Sequence, residues 1–255
     1  MSLLELKNSA IQFGGLVAVS ELSVEIGASD LVGLIGPNGA GKTTVFNMIT
    51  GVYRPTFGEI MFDGNSIVGL KPHQIAHIGI ARTFQNIRLF PSLTVYQTVQ
   101  VALKKTITYG FFNAISQLES LHRQERAIHD TIMDILDFFN LTSVKDEMAT
   151  ALPYGLQRRV EIVRALATHP RLLLLDEPAA GMNPSEKKEL MSLIAQVREH
   201  YHCAIFLIEH DMKVVMGICE RIAVLDYGIK IAEGTANEVQ SDPKVIEAYL
   251  GEQVK

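Results

Sequence analysis

Residues 36–44 read GPNGAGKTT and fit the pattern G-x-x-x-x-G-K-[ST] in full. The chemistry this implies is phosphate binding. Glycines let the backbone fold tightly, so that its N–H groups point at phosphate oxygens. Gly36, Pro37, Asn38, Gly39, Ala40 and Gly41 would form the cradle, and Thr44 would complete it inside the following helix. Lys42 can reach the β- and γ-phosphates, and the Thr43 hydroxyl can ligate Mg²⁺. By average residue frequencies the pattern arises by chance in about one chain in a hundred of this length.

A second stretch, LLLLDEP at 172–178, is the natural complement. A buried strand would deliver two carboxylates at its C-terminal end, where α/β proteins build their sites. Asp176 would support Mg²⁺ through water, and Glu177 would act as general base on the attacking water. A third stretch, LPYGLQRR at 152–159, precedes the amphipathic run VEIVRALATHP. A glycine-containing turn feeding a helix N-terminus is a ready anion site. Yet Pro153 and Leu156 stand where polar side chains are expected. The residues alone leave three readings open: a phosphate-binding element, a damaged one, or a helix start.

These stretches need elements to hold them. LLELKNSAIQF and LSVEI alternate loosely, as strands do, and LVGLIG reads as a short buried strand. The glycines then lead into the helix KTTVFNMIT, closed by Gly51. GEIMFDG is another short strand. The texture changes near residue 90, and from Thr94 to Met148 the pattern is mainly helical. Thr94 and Gln97 have capping-box spacing. Leu118, Leu121, Ile128, Ile132, Ile135 and Leu136 recur at helical intervals, with TYGFFN at 108–113 as an interrupting loop. Residues 90–157 are therefore expected to form a helical subdomain inserted into a single domain over 1–255. Beyond it, helix and strand alternate through PSEKKELMSLIAQVREHY, CAIFLIEHD and MKVVMGICE to a hairpin, RIAVLDYGIKIAEG, and one short tail helix, DPKVIEAYLGE. Such alternation predicts an α/β fold with a mainly parallel core sheet and an N-terminal antiparallel β region.

Composition narrows the function classes. The 23 basic and 28 acidic side chains give a net charge of −5, which argues against a general nucleic-acid binder. Cys203 and Cys219 make neither a metal nor a disulfide pattern and read as two reduced thiols. MSLLELKNSA has neither the basic start nor the apolar core of a signal peptide. No run of about 18 apolar residues occurs, so a membrane role would come through partners.

With the phosphate loop and the DEP strand in hand, the chain resembles the ATP-binding subunits of ABC transporters, over essentially its whole length. The phosphate loop, Gln85 in RTFQNIRLF, the LPYGLQRR turn, the DEP strand and His210 in LIEHD follow that family's order and spacing. The resemblance implies a P-loop NTPase of the ABC type, with ATP and Mg²⁺ as cofactors. It assigns Phe13 in IQFGG to adenine stacking, although an isolated Phe there would read as a core or edge aromatic. It assigns Gln85 to sensing the γ-phosphate and Mg²⁺ at the hinge of the helical subdomain, and His210 to the γ-phosphate contact. Lys42, Gln85, Glu177 and His210 then form the catalytic set, and Thr43, Gln85 and Asp176 the metal set.

In the family, the LPYGLQRR turn is usually LSGGQ or LSYGQ. It completes the ATP site of the opposite subunit in a head-to-tail dimer. Tyr154 and Gly155 fit that pattern, as does the basic pair Arg158 and Arg159, whereas Pro153 and Leu156 depart from it. RTFQNIRLFPSLTV, DEPAAGMNP, IEHDMKVVMGICERIAVLDYG and the tail look like branched-chain amino acid importers, which often carry Asn where Asn183 stands. The ATPase of lipopolysaccharide export has a similar tail, and RTFQ favours the importer over it. The resemblance implies permease subunits in the membrane, a second ATPase copy or related chain, and indirectly a periplasmic or extracellular solute-binding protein. It implies a peripheral location on the cytoplasmic face of the inner membrane. A soluble ABC protein acting on DNA or ribosomes is disfavoured by the single cassette, short insert and acidic balance. For a scaffold that no longer hydrolyses, the altered LPYGLQRR signature argues in favour, and Glu177 and His210 argue against.

Overall fold

A computed structural model describes residues 2–104 and 118–250. The loop expected at 108–113 lies outside them, as do the side chains of Leu118 and Leu121. The chain divides into two compact units, Met1–Gln85 with Arg171–Lys255, and Asn86–Pro170.

The first unit opens with β1 (Ser2–Phe13), β2 (Leu16–Gly27), β3 (Leu31–Ile35) and α1 (Lys42–Ile49). It continues through β4 (Phe57–Phe62), β5 (Asn65–Ser66), α2 (Pro72–His77) and β6 (Ile80–Arg82). The second unit holds α3 (Val95–Lys104), α4 (Leu118–Phe138) and α5 (Tyr154–Leu166). The chain then returns to the first unit with β7 (Leu172–Asp176), α6 (Pro184–Tyr201), β8 (Ala204–Ile208) and α7 (Met212–Ile218). It finishes with β9 (Arg221–Asp226), β10 (Ile229–Gly234), α8 (Ala236–Ser241) and α9 (Pro243–Leu250).

Two sheets form the first unit. One has the order β2-β1-β4-β5 and is antiparallel. The other has the order β10-β9-β3-β8-β7-β6, with every pairing parallel except the β9–β10 hairpin. All residues of β3, β7 and β8 are buried, as the continuous apolar runs require for strands covered on both faces. The hairpin turns on Tyr227 and Gly228, both with positive φ (43° and 79°), which matches the twist of tight two-residue turns.

Within the second unit, Val95 N–H donates to the Glu147 carbonyl (3.0 Å) and Ala149 N–H to that of Leu93 (3.1 Å). The expected capping box forms: Gln97 N–H donates to Thr94 Oγ1 (3.1 Å) and Thr94 N–H to Gln97 Oε1 (3.0 Å). Ile128, Ile132, Ile135 and Leu136 are all buried. This unit spans the whole of α5, whereas the sequence boundary at residue 157 falls inside that helix.

Some elements differ from the sequence expectation. β6 and α2 were not foreseen, since three and six residues carry little periodicity. The expected tail helix forms as α9 (Pro243–Leu250), and a further short helix that was not foreseen, α8 (Ala236–Ser241), precedes it. Thr235 and Glu238 close a capping box on α8, a T-x-x-E signature that was present to be read. Cys203 and Cys219 are buried thiols, and burial pushes them up to about 11 and about 12. Among the described residues, no helix is long and apolar enough to cross a membrane.

Candidate nucleotide site

The phosphate loop links the end of β3 to the start of α1. Its backbone demands glycine at two points. A Cβ on Gly36 (φ +150°) would lie 1.9 Å from the Leu225 carbonyl oxygen, and one on Gly41 (φ +102°) 2.6 Å from that of Ala18. Around Gly39 (φ +80°) there is open space. Gly41 caps α1 without a side chain, so no capping side chain takes up the first N–H groups at the positive dipole end of the helix. Lys42 is buried, and its Nζ donates to the carbonyls of Gly36 (2.6 Å) and Pro37 (2.8 Å). The ammonium is thus held inside the loop it would share with a phosphate. Thr43 is exposed at the helix start and Thr44 half-buried.

At the C-terminal end of β7, Asp176 and Glu177 part company. Asp176 is buried, and its Oδ2 accepts from Arg82 Nη2 at 2.7 Å. Glu177 takes a left-handed backbone (φ +46°), an uncommon state for a residue with a side chain, and such strain gathers at functional sites. Gln85 Nε2 donates to Glu177 Oε2 at 2.9 Å. His210 Nδ1 stands 3.7 Å from the same oxygen. Glu177 N–H donates to the Ile208 carbonyl (2.9 Å), which locks the end of β7 to the end of β8. Gln85, Glu177 and His210, drawn from three loops, therefore converge on one carboxylate.

Sequence reasoning missed two supports of this cluster. Arg82 is one. The other is Glu209, which is fully buried; its Oε1 accepts from Ala179 N–H (2.8 Å) and its Oε2 from His210 N–H (3.3 Å). It ties the loop after Glu177 to the backbone of His210. Burial raises its pKa above the ordinary carboxylate value, against the lowering effect of these backbone donors. A charged residue between an apolar strand and a histidine was a readable signal. Asn183 caps α6: its Oδ1 accepts from Ser185 N–H (2.9 Å) and Glu186 N–H (3.0 Å), a task Asn and Asp share.

Next to His210, Asp211 caps α7 and receives Lys187 Nζ at 2.6 Å, which lowers its pKa below 3.8. Asp211→Asn keeps the cap and removes only the ion pair. Because the folded pKa is depressed, the pair's contribution is present above pH 3.8 and is lost as pH falls through the lower folded value. Wild type is expected to exceed Asp211→Asn in stability by about 0.5–1 kcal/mol from pH 7 to 5, with the gap closing below pH 4. Urea midpoints across that range check this, and a gap that widens on acidification would refute it.

Phe13 is 43% exposed and meets Tyr53 edge-on, with ring centroids 5.1 Å apart. A face is thus available for a base to stack on. For a cation, the Thr43 hydroxyl, Gln85 amide oxygen and Asp176 carboxylate are all oxygen donors. Among the described residues no group of three or more His, Cys, Asp or Glu could hold a metal alone. Such a sparse oxygen set fits Mg²⁺ completed by phosphate oxygens, and does not fit a protein-only cage.

The second unit carries Tyr154 and Gly155. They lie in the first turn of α5 itself, not in a turn before it, and Pro153 is the N-cap (φ −53°, ψ 149°) with no side chain to cap the helix. Leu156 and Gln157 N–H both donate to the Pro153 carbonyl at 3.0 Å. Gln157 Nε2 donates to the Leu152 carbonyl at 2.7 Å. The basic pair is split: Arg158 is fully buried on Glu161 (2.6 Å), while Arg159 is half-buried. Arg158 is therefore committed inside the unit rather than offered to an anion.

Comparison with known proteins adds the following. Residues 19–180 match the family described as ABC transporter. Residues 230–255 match the one described as branched-chain amino acid ATP-binding cassette transporter. The high-affinity branched-chain amino acid transport ATP-binding protein LivG of Escherichia coli K12 is 45% identical over 98% of both chains. The corresponding protein BraF of Pseudomonas aeruginosa is 44% identical over the same share. Among solved structures, the ADP conformation of MJ1267, an ATP-binding cassette of an ABC transporter, aligns with a TM-score of 0.83 at 30% identity, covering 98% of this chain and 99% of that one.

Proposed function

The chain belongs to the ABC transporter family, and from that premise we propose that it is the ATP-hydrolysing subunit of an importer of branched-chain amino acids. One observation carries the hydrolytic reading: the Gln85 amide and the His210 ring meet at a single Glu177 oxygen, 2.9 Å and 3.7 Å away. The 45% identity to LivG supports the solute class.

The chemistry follows from the positions. Backbone N–H groups of residues 38–44, at the loop and the start of α1, together with Lys42 hold the β- and γ-phosphates. Phe13 stacks on the adenine. Water attacks the γ-phosphorus in line with the bond to the β-bridging oxygen, that bond breaks, and ADP leaves. Glu177 takes the proton from the water, oriented by Gln85 and His210. Thr43, Gln85 and Asp176 would hold Mg²⁺, which would supply charge neutralisation at the phosphate oxygens.

A second ATPase subunit, a copy or a related chain, docks head-to-tail, and each lends Tyr154 and Gly155 N–H groups to the other's γ-phosphate. Membrane permease subunits turn closure of that pair into alternating access, with the chain on the cytoplasmic face and the solute-binding protein on the other side. Residues 86–170 act as the inserted helical subdomain.

Pro153 lacks the hydroxyl that a serine would offer. That contact is worth roughly 1.5–3 kcal/mol, or about 10- to 150-fold. Pro153→Ser is expected to raise ATP-dependent dimerisation or turnover, read from hydrolysis rates as chain concentration rises. Equal rates in both proteins would show the hydroxyl position to be idle. The transport reading is tested by labelled leucine uptake in cells carrying the chain or its Lys42→Ala variant. Uptake should fall with the variant; unchanged leucine uptake alongside lost ATPase activity would move the chain to another solute.

A further inference from the structure

We propose that Arg82 is a positioning residue that holds the Asp176 carboxylate in competition with Mg²⁺, and so sets the Mg²⁺ concentration at which nucleotide binds. The inference rests on the reading of Asp176 as a Mg²⁺ support.

Arg82 ends the short edge strand β6 and is tied to the end of β7, to α1 and to the residue before Gln85. Its Nη2 donates to Asp176 Oδ2 at 2.7 Å, with side-chain exposures of 8% and 2%. Its Nη1 donates to Asn47 Oδ1 at 2.7 Å, in the helix that begins with Lys42 and Thr43. Its guanidinium carbon lies 5.5 Å from the Phe46 ring centroid and 5.4 Å from that of Phe84, the residue before Gln85. Nη1 also donates to Thr50 Oγ1 at 3.4 Å. A planar cation held by two rings and three oxygen acceptors is a built arrangement, since guanidinium stacks and forks where ammonium does not.

A buried carboxylate needs a counter-charge, and Arg82 supplies it. Mg²⁺ draws on one or two carboxylates and on phosphate oxygens. When it approaches Asp176 it meets a cation already bonded there, and at low dielectric two such charges repel strongly. Asn47 and the two rings hinder the guanidinium from swinging aside. Arg82 therefore raises the Mg²⁺ demand of the site, and it restores the ion pair when Mg²⁺ departs. A purely structural Arg82, tying β7 to α1, would affect stability and leave Mg²⁺ dependence alone.

The test is binding of a fluorescent ATP analogue to the purified chain as Mg²⁺ is titrated, in wild type, Arg82→Gln and Arg82→Lys. Arg82→Gln should lower the half-saturating Mg²⁺ on the order of tenfold, equal to about 1.4 kcal/mol. Arg82→Lys, which keeps the charge but loses the fork and the stacking, should lower it by less than Arg82→Gln does, and binding without Mg²⁺ should be similar in all three. A wild-type Mg²⁺ dependence that Arg82→Gln leaves unmoved overturns the proposal alone. Wild-type binding that ignores Mg²⁺ overturns the Mg²⁺ reading, and this proposal with it. Should Arg82→Gln fail to fold, the guanidinium ¹⁵N resonance of Arg82, assigned by its loss in Arg82→Lys, gives the answer in wild type. It should shift with Mg-ATP beyond the shift seen with ATP and chelator; identical spectra overturn the proposal.

Discussion

Glu177→Gln is expected to lower ATP turnover by about 10²- to 10⁴-fold, the usual worth of a positioned general base, while ATP still binds. The reason is local. Glutamine has the shape of glutamate, and its carbonyl can accept the Gln85 amide that now reaches Glu177 Oε2 at 2.9 Å. The left-handed backbone at this position, φ +46°, makes no new demand on it. What disappears is the capacity to take a proton from water. ATP should accumulate on the protein, and the head-to-tail pair should persist as a dimer in size-exclusion chromatography with Mg-ATP. Turnover near the wild-type rate would place the base elsewhere. A monomeric profile at saturating ATP would count against the shared-site dimer.

Lys42→Ala should act on binding instead. Nζ is committed to two loop carbonyls at 2.6 Å and 2.8 Å, so the loop is held in shape partly by the group that would contact phosphate. Removing it costs one charge-assisted contact, roughly 1.5–3 kcal/mol, or about a 10- to 150-fold loss of ATP affinity. Alanine is the best helix former, so α1 should survive and stability should fall by only about 1 kcal/mol. Equilibrium titration with a fluorescent nucleotide and urea unfolding separate the two effects. An affinity loss matched by wholesale unfolding would assign Lys42 to the loop's fold rather than to the ligand.

Much of this protein is legible from residue type and spacing, because the relevant physics is local. GPNGAGKTT specifies a loop between a strand and a helix: its glycines adopt backbone states and close approaches that other residues cannot, as at Gly36 and Gly41. LLLLD and AIFLI announce strands buried on both faces, and both are wholly buried. The α6 helix runs over the predicted residues, because Asn183, Pro184 and Glu186 fix its start within one turn. Short elements were not legible: β6 has three residues and α2 six, too few for a period to show.

The tertiary structure alone decided which charges meet. Arg82 and Asp176 are 94 residues apart in sequence, and Gln85 and Glu177 are 92 apart, so no local pattern could pair them. Likewise, nothing in QRR tells that Arg158 turns inward to Glu161 while Arg159 does not; helix phase against a core settles that. Sequence by itself determined the phosphate loop, the paired acids and the alternation of strand and helix. Only the fold decided that Glu177 would be held by two loops, that Glu209 would be buried beneath His210, and that a cation would already sit on Asp176. The physical reason is one of range. Backbone conformation and periodicity act over a few residues, whereas buried charges are paired by whichever strands the sheet brings side by side.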